Sequence, residues 1–175
     1  MSDAYSSFAS LLEEKAVIVV GADAWLKTGS GTRLECKTIE AGLRANPGDY
    51  NLIDVPAVAL QAEMPDEDDP AAYSTERAVA VLIGTVVVSA ADINTRRTLA
   101  LDIGARLRRI FREQISGGAW SNLDQVVPGA DAGSISTAVS GPVVDDLGQT
   151  ENASVRRIAI ATVVARVSID VDATI

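Results

Sequence analysis

Arg77–Ala90 reads RAVAVLIGTVVVSA, and Asp92–Ile115, which follows almost at once, reads DINTRRTLALDIGARLRRIFREQI. The first stretch is apolar at nearly every position of its middle, which predicts a strand covered on both faces. In the second, helical spacing places Ile93, Leu99, Ala100, Ile103, Leu107, Ile110 and Phe111 within an arc of about 120°. Arg97, Arg108, Arg109 and Arg112 fall on the opposite arc. Asp92 is a fitting N-cap, and Gly117-Gly118 ends the helix.

The same strand signal returns at Arg156–Val171 (RRIAIATVVARVSIDV). Val163, Ala165, Val167, Ile169 and Val171 face one way, and Val164, Arg166, Ser168 and Asp170 the other. Both candidate strands far exceed the usual mode of about 5 to 6 residues. Either they bend, with Gly84 one place to do so, or another subunit covers their ends.

Toward the N-terminus, Phe8, Leu11 and Leu12 at helical spacing make Tyr5–Ala16 an amphipathic helix. Val17–Val20 extends it or forms a short strand. Gly29-Ser30-Gly31-Thr32 marks a loop before a short strand near Leu34–Ile39. Asn46-Pro47-Gly48-Asp49 is a turn, and Val55–Leu60 a strand with Pro56 near its start. Glu63–Pro70 is an acidic, proline-bounded loop. Residues 120–136 are expected to be loop, Thr137–Val144 a strand, and Asp145–Asn152 a turn. These elements describe a single α+β domain over 1–175: a mixed or antiparallel sheet of four to five strands with two main helices on one face.

Composition narrows the chemistry. The chain has 175 residues, 47% hydrophobic and 22% charged, as in ordinary globular proteins. Aromatics are only 4%, so Val, Ile, Leu and Ala build the core. There is no histidine and one cysteine, Cys36. Histidine-based triads and ordinary zinc sites are therefore closed, as is an internal disulfide framework. The net charge of −9 disfavours nucleic acid as a partner. Residues 1–70 hold five basic and thirteen acidic side chains, whereas residues 92–113 hold six arginines against three acids. Such a division suggests a partner of opposite sign, including a second copy. No signal peptide is expected at Met1-Ser2-Asp3, and no apolar run approaches the roughly 20 residues of a membrane span.

The candidate sites each have a plain reading beside a functional one. Gly29–Thr32 lacks the Lys-Ser/Thr of a phosphate loop. Asp66, Glu67, Asp68 and Asp69 form a solvated loop or a docking surface for basic groups; they lack the alternating spacing of a calcium loop. The arginine arc is a solvated face, a subunit contact or a nucleic-acid contact. Cys36 reads as an inert thiol, and Trp25 and Trp120 as core or interface anchors. A carboxylate pair for hydrolysis would have to join separate segments, for instance Asp54 with Asp145 or Asp146. No cofactor or metal is expected.

The order of elements resembles a family. A helix, a short Lys37-Thr38-Ile39-Glu40 strand, a strand opening Val55-Pro56-Ala57-Val58, a polar loop, Arg77–Ala90, the helix 92–115 and a long closing strand are similar to the tail-terminator proteins of tailed bacteriophages. The resemblance implies a non-enzymatic virion subunit, assembled in the host cytoplasm as a hexameric ring. Such a ring binds the tail tube protein, stops tube growth and meets the head-tail connector. Residues 117–152 would then be an inserted arm. Arg97, Arg108 and Arg112 are expected to contact acidic groups of a neighbour, with Asp66–Asp69 the first candidates. The alternatives are another neck ring component (stopper, adaptor or tube protein) and a small-ligand or carboxylate-based enzyme domain.

Overall fold

The computed structural model describes residues 2–29, 35–43, 50–63, 77–115, 130–149 and 157–171. The order is α1 (Ser2–Ala22), α2 (Ala24–Lys27), β1 (Thr38–Ala41), β2 (Ala57–Glu63), β3 (Arg77–Ser89), α3 (Ile93–Ile115), β4 (Ala130–Gln149) and β5 (Arg157–Val171). The strands form one mixed sheet in the order β1-β2-β3-β5-β4. Only β1 and β2 run parallel; the other pairs are antiparallel. α1 packs over β1, β2 and β3, and α3 over β3, β5 and β4. This is the expected α+β arrangement.

The β-branched run Val17–Val20 is helical. Phe8, Leu12, Ala16 and Val20 form one buried row at four-residue spacing, and packing of that row on the sheet outweighs the modest helix penalty of valine and isoleucine. Glu13 anchors the helix by accepting the N–H of Ala62 at 2.9 Å. That N–H lies beyond the last β1–β2 partner pair, Ala41–Leu60.

β3 and β5 pair without interruption from Arg77–Asp170 to Ser89–Ile158. Toward the helices, Ala80, Leu82, Val86 and Val88 join Ala159, Ala161, Val163, Ala165, Val167 and Ile169 in the main core. On the far face Tyr50 packs with Ala57, Val87 and Ile158 in a second cluster. Both faces of β3 thus carry buried side chains, as its continuous apolar run predicts. Gly84 does not bend the strand. A Cβ there would lie 2.5 Å from Leu107 Cδ2 and 3.1 Å from Phe111 Cζ, so its bare backbone makes room for α3.

Three expectations are corrected. β1 begins at Thr38, later than the strand read near Leu34–Ile39. Ile93, assigned to the apolar arc of α3, is 46% exposed: it is the first residue of the helix and stands at the edge of that arc. The third concerns β4, which spans Ala130–Gln149, although 120–136 reads as loop and 145–152 as a turn. Its glycines and proline fall at three register shifts, between Asp131 and Ser136, Ser140 and Val143, and Asp146 and Gly148. Bulges absorb the turn-forming residues while pairing with β5 carries the strand through. Gly141, at φ +90°, sits where a Cβ would be 2.5 Å from the Thr162 carbonyl oxygen. Trp120 and Asp66–Asp69 lie outside the described residues.

Candidate self-assembly surface

The arginines of α3 divide by position on the helix. Arg96 is only 4% exposed and Arg106 half-buried. Arg97, Arg108, Arg109 and Arg112 are exposed.

The inward pair hold the fold together. Arg96 Nε donates to Asp146 Oδ2 at 2.7 Å and Nη2 to Oδ1 at 2.9 Å, joining α3 to β4. Its Nη1 also donates to the Ala91 carbonyl at 3.1 Å, and Arg157 donates to the same oxygen at 3.2 Å. Arg96 stands at the centre of the apolar arc by helical spacing. That position is the signal in the sequence that it points inward.

Arg106 reaches the opposite flank, donating to both Asp23 oxygens at 3.2 and 2.7 Å. Asp23 is also the N-cap of α2, accepting from the Leu26 N–H at 3.0 Å. Burial alone would raise the Asp23 carboxyl. The Arg106 hydrogen bond, the Leu26 N–H and the Arg106 charge outweigh it and hold the group below the usual carboxylate range. At the start of α3, Asp92 accepts from the Thr95 N–H at 2.7 Å and from its hydroxyl at 3.0 Å, which lower its carboxyl.

The outward arginines form a surface. Arg109 pairs with Glu113 along the helix at 2.7 Å, whereas Arg97, Arg108 and Arg112 have no ion pair among the described residues. Leu101, 49% exposed, stands between them, and Ile93 lies one turn before Arg97. A shallow open depression of about 460 Å³ runs along Ala105, Arg108, Arg109, Arg112 and Glu113.

The flank has a definite direction. Gly104 faces β4, where an added Cβ would meet Pro142 Cβ at 2.7 Å, while Arg106 faces Asp23 beyond the end of α1. Helical spacing puts Ile93, Arg97 and Arg108 in the row of Gly104. The apolar and basic stripe therefore borders β4, at one edge of the sheet.

The carboxylates considered for acid–base chemistry have the following local partners and exposure. Asp146 is held by Arg96. Asp54 closes a local turn by accepting from the Asn51 N–H at 3.0 Å. Asp145 is exposed on β4. Among the described residues no three His, Cys, Asp or Glu side chains are grouped to hold a metal ion. Cys36 is half-buried and packs against the main core, as does Trp25. No helix among the described residues is long and apolar enough to cross a membrane. The chain matches no protein-family model, and no curated protein is significantly similar to it.

Proposed function

We propose that this chain is a structural virion protein of the tail-terminator type. It forms a ring on the head-proximal end of a phage tail tube, stops tube growth and presents a surface to the head-tail connector. The observation that carries this reading is the outer flank of α3. Leu101 is exposed between Arg97, Arg108 and Arg112, and Ile93 one turn before Arg97, in a chain whose first 70 residues carry a large acidic excess. Apolar side chains beside arginines that have no ion pair among the described residues suit a subunit contact better than a solvated face. A contact between unlike patches on identical subunits is head-to-tail and closes into a ring when the rotation allows.

The test is absolute mass by light scattering, with the triple variant Arg97→Glu/Arg108→Glu/Arg112→Glu beside the native chain. The native protein should have a multiple of 18.3 kDa, six-fold for a hexamer, and the variant should be monomeric. The native ring should also halt polymerisation of the tail tube protein. A ring that survives the triple reversal overturns the assignment of this flank. One that leaves tube growth untouched favours another neck component.

A further inference from the structure

The subunit contact also involves the edge of the sheet. β4 is 20 residues long and, among the described residues, pairs with β5 alone. A row of open N–H and C=O groups recruits other strands, so edge strands are commonly short, or guarded by charge, proline or bulges. β4 is long, and its aspartates, Pro142 and bulges leave the stretch Ser136–Ser140 unguarded. No charged residue stands between Asp131 and Asp145. Its proline, Pro142, sits in a register shift, and Ser136–Ser140 pairs regularly with Ser168–Val164. Ser136, Ala138 and Ser140 are exposed, small and uncharged.

The other edge differs in every relevant respect. β1 has four residues, runs parallel to its neighbour and follows α1 in the acidic part of the chain. Glu14 on α1, which packs over β1, and Glu63 at the end of β2, the strand beside β1, are exposed. The β4 edge is bordered by Arg97 and Arg108. One edge is thus long and basic-flanked, the other short and acid-flanked.

We infer that the β4 edge accepts the β1 edge of a second copy of this chain, so that the sheet continues from subunit to subunit while the α3 arginines meet the neighbour's acidic side. Self-pairing of two β4 edges would bring like-charged α3 flanks together, and the charge pattern opposes it. The inference rests on the ring reading only for closure; the edge contact itself needs only a second copy.

Two measurements test it. The first is the mass of Ala138→Lys/Ser140→Lys, in which lysines guard the exposed edge. It should fall to that of a monomer that still melts cooperatively. The second uses Cys36→Ser as background, with Ala138→Cys combined in turn with Thr38→Cys, Ile39→Cys, Glu40→Cys or Ala41→Cys. A disulfide needs Cβ atoms within about 3.5–4.5 Å, so at least one double variant should give a ladder of covalent oligomers under mild oxidation, with each single variant giving none. Absence of a ladder from all four pairs, or dimers from Ala138→Cys alone, overturns the inference. An oligomer unchanged by the two lysines also overturns it and leaves the ring reading standing. A native chain monomeric at every concentration overturns both. Ladders from a protein that does not stop tube growth support the edge contact and sink the terminator reading.

Discussion

Arg96 and Asp146 lie 50 positions apart and meet through two parallel hydrogen bonds of 2.7 and 2.9 Å, with side chains only 5% and 15% exposed. The pair ties the first turn of α3 to the strand at the sheet edge, and Arg96 also holds the carbonyl of Ala91. Removing one partner leaves the other poorly solvated. Arg96→Met should therefore cost about 3 kcal/mol in urea denaturation. Asp146→Leu added to Arg96→Met should recover part of that loss, since an apolar pair of similar volume leaves no half-buried carboxylate beside the methionine. Additive losses in this double-mutant cycle would show that the two side chains act independently.

Gly104 brings α3 close to β4. An added methyl would meet Pro142 Cβ at 2.7 Å and Ala161 Cβ at 3.2 Å. Alanine is the better helix former by about 1 kcal/mol, yet neither contact can swing aside, because one is a proline ring and the other a strand Cβ. Gly104→Ala should thus destabilise by about 1–3 kcal/mol in spite of its propensity. Pro142→Gly should rescue part of the loss by removing the nearer atom. A stabilised Gly104→Ala would mean that α3 can lift from β4 without cost.

The Asp23 carboxyl titrates below its ordinary value because Arg106 and the α2 cap favour its charged form. A depressed folded-state value adds stability above the unfolded value, near pH 3.9, and that contribution disappears as pH falls through the folded one. Stability of the native chain should decline with acid below about pH 4. The decline should be shallower in Asp23→Asn, which keeps a good N-cap but should lose about 0.5–1 kcal/mol at neutral pH with the charge pairing to Arg106. Chemical denaturation at a series of pH values measures both slopes, and identical slopes would count against the Arg106–Asp23 pair.

Salt should weaken the proposed subunit contact. Exposed charges are screened over about 10 Å at 0.1 M salt and about 3 Å at 1 M. The mass measured by light scattering should therefore fall between these concentrations at fixed protein. The Asp23 cap of α2 and the two internal ion pairs, being partly buried, should keep the monomer's melting temperature nearly constant over the same range. A mass indifferent to salt would assign the contact to apolar and backbone groups alone.

Local pattern decided a good deal of this structure. The run at Arg77–Ala90 and the alternation at Val163–Val171 are strands because their side chains have period two or are apolar throughout. α3 is a helix because its apolar residues recur at helical spacing behind the Asp92 cap. The mixed sheet with helices on one face followed from those elements and their order. What local pattern could not decide was anything set by a residue's partner across the fold. Val17–Val20 joined α1 because Val20 completes the row begun by Phe8. β4 passed through Gly133, Gly141-Pro142 and Gly148 because pairing with β5 returns more than the turns would. Arg96 was legible as inward from its place in the apolar arc, but its bond to Asp146, the turn of Arg106 to Asp23, and the placing of Arg97 and Arg108 beside the sheet edge depend on where Asp23, Asp146 and Pro142 stand. Those contacts span from 38 to 83 positions of sequence, and only the tertiary fold brings them together.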